Sequence, residues 1–171
     1  MKVVKMLDRV LMKIEEYILS YAIIVIAIMI VGNVLSRSIT GDGWSFSQEV
    51  SLFAVTVATF MGISYAARKG RHISMSAFFD IAPFPIRKAL SIIIPAITSI
   101  LLFILAKYGF DYFMSLYESG RVTTAMRMPV YFMAFFVPLG LGLGALQFLR
   151  NMWVNIKEKE VYLAQEKKDY S

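Results

Sequence analysis

The stretch NVLSRSITGDGWSFSQEVSLFAVTVATFMGISYAARKGRH, residues 33–72, decides the fold of this chain. Its central run, 50–67, carries no charge, and a helix needs only about 20 apolar residues to cross a membrane. Trp44 and Glu49 precede the run, and the cation-rich sequence RKGRH at 68–72 follows it. The stretch therefore predicts a membrane-spanning helix with two chemically different ends.

The composition also favours a membrane protein. Of 171 residues, 58% are hydrophobic and 18% are charged, whereas a soluble domain has about 45–50% apolar residues. The absence of cysteine excludes disulfides and thiolate metal sites, and the single histidine excludes bis-histidine haem ligation. We also find no soluble enzymatic module. The sequence therefore predicts a non-enzymatic protein with no cofactor and no metal site.

Four uncharged runs predict an all-α integral membrane protein, because four spans cannot close a β-barrel. The residues 1–171 form one membrane domain in this prediction. In residues 1–16, the apolar side chains fall on one face of a helix and most of the cations lie outside that face. This pattern predicts an amphipathic helix in the membrane interface. A cytoplasmic tail is expected over 151–171. The four spans are expected at about 17–36, 50–67, 88–110 and 128–150.

The Lys and Arg residues predict the orientation. Fourteen of the 18 lie in the N-terminal segment, the connection between the second and third spans, and the C-terminal tail. The other four are Arg37, Lys107, Arg121 and Arg127. By the positive-inside rule, both termini are expected in the cytoplasm. The net charge of +6 is then a topology signal and does not indicate nucleic acid binding.

The polar residues beside the first turn predict an ion pair. Asn33 and Arg37 lie four residues apart and share a helix face. Glu49 begins the next helix at the same depth, and charges near hydrocarbon usually have partners, so we expect Arg37 to pair with Glu49. The pair is interpreted as a structural clasp in preference to a proton or substrate site, because one carboxylate at a helix edge makes a poor relay.

Other residues predict anchoring and helix packing. His72, close to Arg68 at the basic end of the second span, is expected to anchor the interface in preference to sensing pH or binding phosphate. In the fourth span, which Pro129 opens, Pro138 should kink the helix. Gly140 and Gly144 form a G-x-x-x-G face that allows another helix to approach closely, either within the chain or from a partner.

The four uncharged runs, 17–35, 50–67, 89–106 and 128–149, contain no Asp, Glu, Lys or His. Pumps and secondary transporters usually carry such groups near the bilayer midplane. Acting alone, the chain has little with which to couple an ion gradient, so we interpret it as a subunit of a larger assembly.

The sequence resembles the small membrane subunits (Q subunits, DctQ-like) of the TRAP transporters, the tripartite ATP-independent periplasmic transporters. Together with the four spans, the resemblance covers nearly the whole chain. The residues that carry it are NVLSR at 33–37, WSFSQE at 44–49, FMGISYAARKGRHI at 60–73 and TTAMRMPVYFMAFFVPLG at 123–140.

This resemblance implies a multi-pass protein of a bacterial inner membrane that serves as the scaffold subunit of a sodium-coupled transporter. Its partners would be a large membrane subunit on a separate chain, a periplasmic substrate-binding protein and lipid. The transported solute would be an organic anion such as a C4-dicarboxylate or sialic acid, with no substrate site on this chain. Trp44, Arg121 and Arg127 would help to dock the substrate-binding protein.

Two other hypotheses remain at this stage. In one, the chain is an autonomous homo-oligomeric channel or exporter whose pore is lined by Asn33, Arg37 and Glu49. In the other, it anchors a quinone-linked enzyme in the membrane. A purified complex of known stoichiometry distinguishes these from the scaffold.

Overall fold

Four α-helices make up most of the part of the chain that the structure describes. A computed structural model describes the backbone of residues 2–69 and 83–157, with side chains over 10–68 and 83–157. Within these ranges, the only β-pairing is an isolated bridge between Val122 and Pro129. The helices are α1 (Lys2–Thr40), α2 (Ser47–Lys69), α3 (Phe84–Ser119) and α4 (Tyr131–Lys157).

All four helices are long and apolar enough to cross a membrane, so the prediction of four spans is confirmed. The helices extend beyond the predicted spans. The first candidate span covers Val10–Thr40, and α3 has 36 residues, about 54 Å at 1.5 Å per residue. Because a bilayer core is only about 30 Å thick, α3 must tilt or project from it.

The predicted interfacial helix over 1–16 is not a separate element in the structure. Its residues continue into the first span as one helix of 39 residues. No proline or glycine precedes Gly32, so nothing in the backbone chemistry ends the helix earlier.

The first residues of the predicted tail continue the last helix. Helix α4 continues through Pro138 to Lys157, and Asn151 and Asn155 are buried within it. Residues 151–157 therefore belong to the packed bundle, because their buried side chains have partners there. The remainder of the predicted tail and His72 lie outside the described residues.

Proline and glycine define the two ends of α3. Pro83 precedes the helix in an extended conformation, with φ −62° and ψ 151°, and Pro85 lies in the first turn, where a missing N–H costs little. Gly120 follows the helix with φ 61°, in the left-handed region, and donates its N–H to the carbonyl of Tyr117 at 3.4 Å. The chain then enters the loop that leads to α4.

The helices pack in the order α1, α2, α4, α3. Helix α1 packs against α2, α2 against α4, and α4 against α3. The two outer helices remain largely uncovered by protein. In the apolar 18-residue segment of each helix, 6% of the residues are buried in α1 and 17% in α3, against 44% in α4. Exposed apolar side chains are expected here, because lipid is as apolar as they are.

Small residues bring α2 and α4 into close contact. A Cβ atom placed on Gly140 would overlap the backbone carbonyl of Phe60, and one on Gly144 would lie 2.8 Å from Cγ2 of Ile63. Ala145, on the same helix, is fully buried. The G-x-x-x-G face therefore packs against α2 of the same chain, which decides between the two alternatives for Gly140 and Gly144.

We predict that Gly140→Ala lowers the free energy of unfolding by about 1–3 kcal/mol, since the added methyl group overlaps the Phe60 backbone. SDS-driven unfolding in mixed micelles measures this. Gly142→Ala is the matched control, because no atom lies within 4 Å of its Cβ position. The control should be neutral or stabilising by up to about 1 kcal/mol. Equal stability of the two variants would contradict the packing described here.

Candidate functional site

Two polar clusters lie at opposite ends of the bundle, and we name the ends after their carboxylates. The Glu49 end holds the turn between α1 and α2 and the loop between α3 and α4. The Glu15 end holds the first described side chains of α1 and the last residues of α2 and α4. Since α1 and α2 are joined by a short turn and run antiparallel, Glu15 and Arg68 fall at the same end.

Glu49 binds the loop between α3 and α4. One carboxylate oxygen accepts the backbone N–H of Ala125 at 2.7 Å and the hydroxyl of Thr124 at 3.1 Å. The other oxygen accepts the backbone N–H of Met126 at 2.9 Å. Glu49 also lies in the first turn of α2, where the helix dipole favours a negative charge. One side chain thus joins the start of α2 to a segment about 75 residues later in the chain.

The loop over 121–130 is a narrow hairpin. At its base, the N–H of Val130 donates to the carbonyl of Arg121, and the N–H of Thr123 donates to the carbonyl of Met128, both at 2.9 Å. The Thr123 hydroxyl accepts the N–H of Met128 at 3.0 Å. Arg127 has φ 52°, the left-handed conformation that lets the chain reverse before the second strand of the hairpin.

The predicted ion pair between Arg37 and Glu49 is wrong. In the described parts of the chain, no salt bridge joins the two side chains, and the Glu49 carboxylate binds the hairpin tip instead. The physical reason is that backbone N–H groups of a folded turn are already fixed in place. A long arginine side chain would lose rotamer freedom to make the same contact.

Asn33 and Trp44 form a structural contact with each other that was not predicted. The backbone N–H of Trp44 donates to Oδ1 of Asn33 at 2.7 Å. The indole ring lies over Gly32, where a Cβ atom would come within 2.6 Å of Cζ3. The buried Ser47 hydroxyl donates to the carbonyl of Met29 at 2.8 Å. These contacts fold the turn back onto α1.

At the Glu15 end, a buried ion pair joins α1 to α2. Oε1 of Glu15 accepts the Ser64 hydroxyl at 2.8 Å and Nη2 of Arg68 at 3.4 Å. Both charged side chains are only 3% exposed. Arg68 was expected at the interface, and no role was predicted for Glu15. The signal for this pair is that an acid just before one span and a base at the end of the next fall at the same end of an antiparallel hairpin.

Buried amides and hydroxyls continue the polar contacts to α4 and α3. Asn151 donates to the carbonyl of Ala67 at 3.2 Å, which joins α4 to α2. Ser99 donates to the carbonyl of Ala145 at 2.9 Å, which joins α3 to α4. Neither contact was predicted, because a single Asn or Ser in an apolar run does not indicate its partner.

The remaining candidates lie apart from any cluster of chemically reactive groups. Arg121 and Arg127 are exposed on the hairpin, and Pro129 pairs with Val122 at its base. Over residues 10–68 and 83–157, no three His, Cys, Asp or Glu side chains come together in a way that could hold a metal ion. The polar groups described here therefore connect helices and loops to one another.

Comparison with known proteins defines the class to which this bundle belongs. Residues 26–158 match the DctQ component of the tripartite ATP-independent periplasmic transporters. Over 158 residues, the chain is 37% identical to the ectoine TRAP transporter small permease protein TeaB of Halomonas elongata. The match spans 92% of this chain and 82% of the relative. The chain belongs to the DctQ family and is a small permease subunit of a TRAP transporter, as its resemblance predicts.

We predict that Glu15→Ala lowers the free energy of unfolding by about 3–5 kcal/mol, because it removes one partner of a buried charge pair. Replacing both partners, in Glu15→Met with Arg68→Met, should recover much of that loss. Glu16→Ala removes the neighbouring exposed carboxylate and should change stability by no more than about 0.5 kcal/mol. SDS unfolding in mixed micelles measures all three. A similar loss for Glu15→Ala and Glu16→Ala would refute the buried pair.

Proposed function

We propose that this chain is the fixed scaffold of a sodium-coupled TRAP transporter. It packs against a separate large membrane subunit and helps a periplasmic substrate-binding protein to dock. Bound solute then passes to the large subunit, which carries the substrate and sodium sites. The scaffold itself carries none.

The distribution of charge supports this proposal most directly. Each of the four helices contains a long uncharged run, and the charged residues Lys107 and Asp111 of α3 lie outside its run and are exposed. The buried charges, Glu15 and Arg68, lie near one end and join two helices. Transport by ion coupling generally needs ionisable or discontinuous-helix sites near the midplane. Continuous helices joined by polar contacts near their ends suit a scaffold.

The orientation follows from the Lys and Arg residues. The Glu49 side carries only four of the 18 Lys and Arg residues. We therefore place it on the periplasmic side of a bacterial inner membrane and both termini on the cytoplasmic side. In this orientation, Trp44, Arg121 and Arg127 face the compartment in which the substrate-binding protein operates.

The solute belongs to the small organic carboxylates. The relative from Halomonas elongata is named for ectoine, which carries a carboxylate as a C4-dicarboxylate and sialic acid do. We therefore propose that the solute carries a carboxylate. The substrate-binding protein and the large subunit would recognise it.

A two-part experiment tests the proposal. An affinity-tagged chain is first purified in mild detergent from its native membrane, and the mass of each partner is determined. We expect one large polytopic protein for each copy of this chain. Reconstituted vesicles should then take up solute only when both membrane subunits, the substrate-binding protein and a sodium gradient are present.

Right-side-out membrane vesicles prepared from cells that produce the transporter test the orientation, because this sequence has no cysteine. In right-side-out vesicles, Asp42→Cys should react with a membrane-impermeant maleimide, and Lys157→Cys should not. A homo-oligomer that moves solute without a partner would overturn the scaffold and support the channel hypothesis.

A further inference from the structure

The tip of the 121–130 hairpin is held in place by a residue from outside the hairpin. The hairpin's own hydrogen bonds close its base, between Arg121 and Val130 and between Thr123 and Met128. The N–H groups of Ala125 and Met126, at the tip, donate to Glu49 of α2. The position of the tip relative to α2 therefore depends on Glu49.

The hairpin presents a surface suited to an acidic partner. Arg121 and Arg127 are exposed, one at the base and one beside the tip. Val122 and Met126, with 54% and 47% of their surface exposed, provide apolar contact area between them. Two guanidinium groups beside apolar side chains match a protein surface with carboxylates around an apolar centre, because guanidinium binds carboxylate in two-point geometry.

We propose that Glu49 is a positioning residue for docking. Its carboxylate fixes the hairpin in the conformation in which Arg121 and Arg127 meet an acidic patch on the periplasmic substrate-binding protein. A loop that is ordered before association does not lose its freedom when the partner binds, so the complex is tighter. This inference rests on the proposed function.

The Glu49→Gln variant tests the role of the carboxylate. The two N–H groups of the tip bind different oxygens of Glu49, and glutamine has only one carbonyl oxygen, so one N–H loses its acceptor. We expect hydrogen exchange at Ala125 and Met126 to become at least about tenfold faster. The affinity of the substrate-binding protein for the assembled membrane complex should fall about three- to tenfold.

The matched control is Gln48→Ala, which changes the adjacent exposed side chain. It should leave amide exchange at the hairpin tip, docking affinity and the midpoint of thermal unfolding unchanged. Arg127→Ala should weaken docking without accelerating exchange at Ala125, because it removes a contact with the partner and leaves the Glu49 hydrogen bonds in place.

A double-mutant cycle separates positioning from direct contact. We combine Glu49→Gln with Arg121→Ala and Arg127→Ala in one chain. If Glu49 acts by positioning the two arginines, Glu49→Gln should cause little further loss of docking once both are absent, because the effects of coupled residues do not add. If Glu49 contacts the substrate-binding protein directly, the two losses of docking free energy should add.

Faster exchange and weaker docking in Glu49→Gln, with little further loss of docking from Glu49→Gln in the variant that lacks both arginines, would support the proposal. Three results would overturn it: faster exchange with unchanged docking, a docking loss from Glu49→Gln that adds in full to that of the double arginine variant, or a wild-type complex that assembles and does not bind the substrate-binding protein. The last result leaves the scaffold intact. Failure of the wild-type chain to assemble with a large subunit would overturn the proposed function itself.

Discussion

The contact between α2 and α4 holds the bundle together, because α1 is attached through α2 and α3 through α4. In lipid, no hydrophobic force drives two apolar helices together, so their association depends on close van der Waals contact and on hydrogen bonds. Gly140 provides the close contact by letting the Phe60 backbone rest directly on α4. The hydrogen bond from Asn151 to the carbonyl of Ala67 adds a polar contact near the end of the same interface. The pair α1 and α2 is therefore joined to the pair α3 and α4 through the interface between α2 and α4.

Glu15 and Glu49 lie towards opposite ends of the bundle, and each binds a segment that is distant in sequence. Glu15 joins α1 to α2, and Glu49 joins α2 to the hairpin before α4. Loss of either contact leaves a charged group without its hydrogen-bond partners, whereas the long uncharged runs of the helices tolerate lipid on their outer faces. This arrangement suits the proposed fixed scaffold, which would hold a partner without taking part in ion coupling.

The sequence predicts the features that depend on local pattern. Uncharged runs of the right length predict the four helices, and Gly140 with Gly144 predicts a close helix contact. It does not predict contacts whose partner is a backbone group. Glu49 and Arg37 are predicted to pair because they lie near each other along the chain, whereas the true partners of Glu49 include backbone N–H groups of a hairpin 76 and 77 residues away. Glu15 is missed for a related reason, since its partner Arg68 lies 53 residues away.

A distance measurement in the working transporter tests the central claim, that this subunit stays rigid while its partner moves. Spin labels on Asp42→Cys, in the turn that follows α1, and Glu118→Cys, near the end of α3, report any change across the Glu49 end of the bundle, because both positions are exposed. Double electron–electron resonance is recorded on the reconstituted complex, with and without sodium, solute and the substrate-binding protein. The scaffold predicts one narrow distance distribution that is the same in every condition. A second distance that appears when solute and sodium are added would contradict it.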